Sequence, residues 1–394
     1  MRALSDPTHQ RRTSRRVILT AGAAAAATWL GKGWVRAEDA SDPRPSLTPP
    51  IPQAPAALPA PKPPRLIEAS AADRAEWASF KRRFLTPEGR VIDTGNGGVS
   101  HSEGQGYGLF FAQACDDRAS FEQILAWTRT HLARRGDSLH AWRWLPQAVD
   151  HVPDHNNATD ADLFIAAALS RAGRRWGRPD HEAAARAIAV NVHDLLVRDT
   201  GDRLVLLPGV QGFEHPDGLT INPSYYVLPL LADLAALHPS PKWARLHADG
   251  LALLDQGRFG AWQLPPDWLH IGRGTGALQP HPNWPARFSY DAIRVPLFMS
   301  WSGCGESATV RAFTAYWASC ANRPAWIDLR SNATAGYTAP SGMVAVAGIA
   351  AHAAQQGAKA SSPPQFPPVS ASPDYYSGAL IILSRLAWLE GAMV

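Results

Sequence analysis

From about Leu66 onward, apolar residues recur at the spacing of a helix face. Positions repeating at i, i+3, i+4 and i+7 predict helices over Ala72 to Phe84, Tyr107 to Cys115, Phe121 to Leu132 and Leu163 to Ala172. The same pattern marks His181 to Leu196, Ser224 to Leu237, Pro241 to Leu254, Ala292 to Trp301, Ser307 to Ala321, Gly342 to Gln355 and Tyr375 to Leu389. Strand-like alternation is scarce, so the fold class read from the pattern is all-α, with about eleven helices.

Two stretches interrupt the helical pattern. Gly201 to Pro223 and Gly257 to Tyr290 are rich in Gly, Pro, Asn, His and Trp and exceed simple connectors, and loops of that size usually carry function. Gly357 to Asp374, rich in Ser and Pro, reads as a surface loop. Ten of the 22 residues from Pro43 to Pro64 are proline, which favours an extended tether over residues 38–65. Ahead of it, Arg11, Arg12, Arg15 and Arg16 precede an apolar run from Val17 to Leu30 and then Val35-Arg36-Ala37. That order predicts an export signal over residues 1–37, and Thr13 to Leu19 resembles a twin-arginine signal. The run is shorter than the ~20 residues a spanning helix needs, so a cleaved leader, a periplasmic or secreted protein and no stable membrane insertion are expected.

Charge changes the picture once this leader is set aside. Lys and Arg number 38 against 34 acids, but seven bases and one acid lie before Glu38, leaving 31 − 33 = −2. A chain with no cationic surplus lacks the footprint of a nucleic-acid binder. The three cysteines, Cys115, Cys304 and Cys320, allow at most one bridge, and their spacing fits no zinc pattern. No metal or cofactor is expected. The Gly-rich pieces Gly104 to Gly108 and Gly272 to Gly276 follow no hydrophobic strand, which argues against a dinucleotide site.

Candidate chemistry gathers at three predicted helix entrances. Glu103 stands behind a possible Ser102 cap, in a helix weakened by Gly104, Gly106 and Gly108. Such glycines suggest that the backbone closely approaches something large, for example a sugar chain; the simpler reading of Glu103 is a charge complementing the helix dipole. Asp160 and Asp162 stand two residues apart at the entrance to the Leu163 to Ala172 helix, so they face different ways, and capping is their simplest role. Asp291 and Arg294, at i and i+3, read alone as a surface pair. Together the acids suit glycosidic cleavage, which needs one carboxylic acid and one carboxylate. Trp142, Trp144, Trp262, Trp268 and Trp284 lie in polar settings where an indole can stack on a pyranose, although packing is the commoner fate of any one aromatic residue.

The segments Ser102 to Leu109 (SEGQGYGL), Asn156 to Asp162 (NNATDAD) and Tyr290 to Pro296 (YDAIRVP), in that order, closely resemble family 8 glycoside hydrolases. Ala141 to Trp144 and Asn222 to Tyr226 extend the likeness, which runs from Leu66 to near the C-terminus. The resemblance implies an (α/α)6 barrel with a cleft at one end, and hydrolysis with inversion. It implies Glu103 as proton donor, Asp291 as the base that activates water, and Asp160 as the contact to the distorted sugar. Arg294 and Tyr225 or Tyr226 are then candidates to hold the base or the water, and Asn157, Trp142 and Trp144 to bind substrate. Inversion needs the Glu103 and Asp291 carboxyls ~6.5–9.5 Å apart, and burial with a neighbour such as Asp160 would keep Glu103 protonated. The substrate implied is a cellulose-like β-1,4-glucan chain, with a cellulose synthase complex as partner; chitosan, xylan and mixed-linkage glucan are the family's alternatives. A non-catalytic glucan-binding subunit is the competing class, and the intact acid set argues against it.

Overall fold

The computed structural model describes residues 64–355 and 364–391. The expected leader over 1–37 and nearly all of the tether over 38–65 lie outside them. Among the described residues are eleven α-helices: α1 (Ala71–Phe84), α2 (Ser102–Ala114), α3 (Arg118–Leu132), α4 (Thr159–Trp176), α5 (Pro179–Leu195), α6 (Leu228–Leu237), α7 (Pro241–Gln256), α8 (Arg294–Trp301), α9 (Ala308–Ser319), α10 (Ser341–Ala354) and α11 (Tyr375–Gly391). Each overlaps one helix expected from the apolar spacing.

Six of them close a ring, in which α2 packs on α4, α4 on α6, α6 on α8, α8 on α10, α10 on α11, and α11 back on α2. Helices α1, α3, α5, α7 and α9 lie against this ring as a second layer. Burial follows the layering. Every residue of α2 is buried, whereas α3 buries the stripe Phe121, Ile124, Leu125, Thr128 and Leu132 and leaves its other face to water.

The three glycines of α2 serve this packing and not an approaching sugar. A Cβ on Gly106 would lie 3.0 Å from Phe164 Cβ and 3.1 Å from the Ala161 carbonyl oxygen of α4. One on Gly104 would meet the Tyr375 ring of α11, and one on Gly108 would meet Val91 and Ile124. Ser102 is likewise the first helical residue of α2 and not the cap before it, a position held by His101.

The two long interruptions are more ordered than their composition suggests. Strands Glu214–His215, Gly218–Ile221, Leu269–Gly272 and Leu278–Pro280 pair in that order as an antiparallel sheet, with Thr220 opposite His270 and His270 opposite Gln279. Strands of two to four residues are too short for alternation to register in the sequence. The part of the Ser/Pro-rich loop that is described is also tied down. Val369 is fully buried, and Arg83 donates to the Ser372 carbonyl at 2.6 Å and to its Oγ at 2.8 Å. Cys115, Cys304 and Cys320 carry no disulfide.

Candidate active site

Arg294, the first residue of α8, is 1% exposed and gathers three carboxylates from three helix entrances. Its Nη1 donates to Asp160 Oδ2 at 2.8 Å, to the Tyr107 hydroxyl at 3.2 Å and to Glu103 Oε1. Its Nη2 donates to Asp291 Oδ1 at 2.9 Å and to Ser224 Oγ at 2.8 Å. Tyr107, one turn after Glu103 on α2, donates its hydroxyl to Glu103 Oε1 at 3.0 Å. Glu103 and Asp160 each occupy the second position of their helix, where unsatisfied N–H groups and the macrodipole favour a negative charge.

Burial opposes the charge of Arg294, yet Tyr107, Glu103, Tyr376 and Asp160 hold the guanidinium protonated, well above its ordinary range. Burial, and then the charge of Glu103, likewise push the Tyr107 hydroxyl up. The Asp291–Arg294 pair is therefore an interior contact and not the surface pair its spacing suggests.

Asp160 and Asp162 do diverge, but neither caps α4, whose N-terminal neighbour is Ala158. Asp160 turns to Arg294. Asp162 accepts from the His140 backbone at 3.0 Å, meets the His140 ring at 2.9 Å and accepts from Asn157 Nδ2 at 3.0 Å. Asn157 Oδ1 in turn accepts from the Val210 backbone at 2.8 Å, so its amide holds loops together behind the acid cluster. Asp160 keeps one link to its own helix end, its Oδ1 accepting from the Ala161 backbone at 2.9 Å, while its Oδ2 and both oxygens of Asp162 take donors from elsewhere in the fold.

The aromatic candidates divide. Tyr225 lies beneath Arg294, with the guanidinium 5.7 Å from its ring, and Trp268 is its neighbour at 6.3 Å. Tyr226 points elsewhere, its hydroxyl accepting from the Leu206 backbone at 2.9 Å. Trp142 is 4% exposed, donates to Asp154 Oδ2 at 2.7 Å, and packs against His101 and Arg143. Trp144 stacks on His151 at 4.5 Å and lies under Arg90. Both indoles are thus packed against the protein's own side chains.

Four residues of the site escaped the sequence reading: Tyr107, Ser224, Tyr376 and Asp267. Tyr107 was legible in principle, since i and i+4 on a helix are neighbours. Asp267 had no such signal. It accepts from the Ser289 backbone at 3.1 Å, from Ser289 Oγ, and from the Ala292 backbone at 2.8 Å, bracketing Asp291. Burial and the adjacent Asp291 charge push its carboxyl up to about 7.

With the acids assembled in this order around one arginine, the sequence pattern of glycosyl hydrolases family 8 matches residues 65–389. The chain belongs to that family. A probable endoglucanase of Novacetimonas hansenii is 45% identical over 317 residues, covering 80% of this chain and 90% of that protein. An endoglucanase of Cellulomonas uda is 39% identical over 272 residues, 68% of this chain and 75% of that one. Among solved structures, an endo-β-1,4-glucanase of Acetobacter xylinum superposes with a TM-score of 0.77 at 44% identity, covering 83% of this chain and 100% of that one. The helical ring and its outer layer are the (α/α)6 fold of these family 8 enzymes.

Proposed function

We propose that this family 8 hydrolase is an endo-β-1,4-glucanase that cleaves with inversion, using Glu103 as general acid, Asp291 as general base and Asp160 to hold the sugar at the cleavage point. The relatives' activity supports the substrate class. The single observation that carries the residue roles is the sharing of Arg294 by all three carboxylates.

The chemistry follows from that arrangement. Three carboxylates around one guanidinium leave two surplus negative charges when all are ionised, and a proton on one of them relieves the excess. Glu103 Oε1 faces Arg294 and Tyr107, both donors, so the transferable proton belongs on Oε2. Asp291 takes its charged hydrogen bond on Oδ1, which assigns Oδ2 to the attacking water. In the reaction the water oxygen bonds to the anomeric carbon from one face while the glycosidic bond breaks on the other. Glu103 protonates the departing oxygen, and Asp291 takes the proton that water loses.

The leader over 1–37 supports a periplasmic or secreted location, and with the tether it fits an enzyme that trims nascent glucan beside a cellulose synthase complex. Arg174 Nη1 donates to the Pro64 carbonyl at 2.8 Å and Arg175 Nη2 to the Ile67 carbonyl at 2.6 Å. These arginines lie at the end of α4 remote from Asp160, so a protein held through its tether keeps the acid cluster accessible.

Hydrolysis of carboxymethylcellulose tests the roles. Glu103→Gln and Asp291→Asn should each lose ~10²-fold or more. Proton NMR of fresh product should show the α anomer first. Parental rates in both variants, or a β product, would overturn the reading. Cell fractionation tests export: replacing Arg15 and Arg16 by Lys should retain the protein in the cytoplasm.

A further inference from the structure

We infer that Asp267 is a positioning residue for the base: its carboxylate holds the turn that carries Asp291, and its charge sets how strongly Asp291 draws the proton of the attacking water. The inference rests on Asp291 being the base.

Asp291 sits on a turn running into α8, with Ile293 N–H bonded to the Ser289 carbonyl at 3.0 Å and Arg294 N–H to the Asp291 carbonyl at 3.1 Å. Such a turn presents unsatisfied N–H groups at its start, and Asp267 supplies the cap from a distant loop. Its bonds reach Ser289, two residues before Asp291, and Ala292, one residue after. Asp267 is itself anchored, its N–H donating to the Arg287 carbonyl at 2.7 Å. A shift of either end would re-aim the Asp291 carboxylate, and small misplacements of a reacting group carry large kinetic penalties.

The charges around Asp291 come from several elements. Arg294 lies on its own helix, Glu103 and Tyr107 on α2, and Asp160 on α4. Tyr376 on α11 donates to the Tyr290 carbonyl, and Tyr225 lies under the guanidinium. Asp267 differs from the other three carboxylates in bonding to the turn and not to Arg294. With its carboxyl pushed up to about 7, it changes charge near neutrality while Arg294 stays cationic. Below that point it is neutral. Above it, a second anion beside Asp291 deepens the negative potential there and favours proton uptake from water. Activity should therefore rise through a step near pH 7.

The test is the pH profile of kcat and kcat/KM on carboxymethylcellulose for the full chain, Asp267→Asn and Ser289→Ala. Asp267→Asn should lose the step, and above it kcat should fall on the order of tenfold with KM nearly unchanged, as expected when only transition-state alignment suffers. Ser289→Ala keeps the carboxylate but removes a hydroxyl that stabilises its ionised form, so the step should move to higher pH. A parental kcat and an unmoved step in Asp267→Asn would overturn the inference. If that variant does not fold, Ser289→Ala decides: an unmoved step there rejects it. Full activity in Asp291→Asn would instead reject the base assignment itself, whereas an inactive Asp291→Asn beside a parental Asp267→Asn rejects only the role of Asp267.

Discussion

Arg171 and Arg294 are both wholly buried, and both bind carboxylates brought by other helices. Arg171 lies on α4 eleven residues after Asp160, roughly 16 Å further along the helix axis. It bonds to Asp233 of α6 through Nε and Nη2, at 3.2 and 2.8 Å, and to Glu390 of α11 at 3.0 and 3.1 Å. Arg174 stands 3.6 Å from the same Asp233, so two cations meet two anions. Trp301, at the far end of α8 from Arg294, donates to Glu390 at 3.0 Å. The Arg171 cluster is thus balanced and joins α4, α6, α8 and α11. The Arg294 cluster sets one cation against three carboxylates, with Asp267 a fourth beside them. A neutral network is a lock; a surplus of like charge at helix entrances is strained by design and suits proton transfer.

Arg171→Ala is the strongest way to test the lock. It would leave Asp233, 0% exposed, and Glu390 without their main partner, and breaking such a pair typically costs ~3–5 kcal/mol. Denaturant titration should show that loss, with kcat per folded molecule unchanged. Arg294→Lys is the matching change at the other end. An ammonium cannot reach three carboxylates in a planar fork, so kcat should fall by ~10²-fold. Its stability loss should be the smaller of the two, because lysine keeps a positive charge among the carboxylates whereas alanine removes it. Reversed outcomes, with Arg171 governing kcat and Arg294 governing stability, would break the comparison.

The two clusters were unequally legible in the sequence. Helix positions followed from apolar periodicity, because burial of a ring helix or of one stripe on an outer helix leaves a regular trace. The three acids were visible as carboxylates at helix entrances, and their motif order named the family. Which partner each acid would choose was not visible. Asp160 and Asp162 looked like caps because spacing within a helix is local information, whereas Arg294 and His140 arrive from elsewhere in the chain. The glycines of α2 were misread for the same reason: close approach was inferred correctly, but the neighbours are α11 at Gly104, α4 at Gly106, and Val91 with Ile124 of α3 at Gly108. Asp267 left no trace, since its role depends on a loop folding back on a turn. Arg171 reads as an ordinary helix residue until α6 and α11 are placed around it.

Gly106→Ala sharpens the comparison from the packing side. Its new methyl would press on Phe164 and the Ala161 carbonyl at 3.0–3.1 Å, and the Ala161 contact is with backbone, which cannot swing aside. Overpacking of this kind costs ~1–3 kcal/mol. Because Ala161 follows Asp160, the variant should lose kcat as well as stability, unlike Arg171→Ala. A variant that lost stability with an unchanged kcat would mean that Asp160 is held by Arg294 alone, independently of the α2–α4 contact.

The smallest effect is a slope of stability with pH, and its sign separates strained from relaxed carboxylates. Asp267, held up to about 7 by burial and by Asp291, binds a proton in the folded state over a range where the unfolded chain has released it. Its contribution to stability is therefore present near pH 4 and is lost as pH rises through 7. Asp117, partly buried but hydrogen-bonded by Lys81, Ser120 and Trp77, is held down to about 2 and behaves oppositely. Its contribution is present above about pH 4 and is lost as pH falls toward 2. Melting curves of the parent and Asp267→Asn across this range should diverge in favour of the variant as pH rises toward 8, while Asp117→Asn should destabilise at neutral pH and converge with the parent in acid. A gain in stability coupled to a loss of kcat in Asp267→Asn would identify the charge surplus at the active end as a strain kept for catalysis. Parallel curves for Asp267→Asn and the parent would remove that explanation and leave the surplus as a consequence of helix ends meeting.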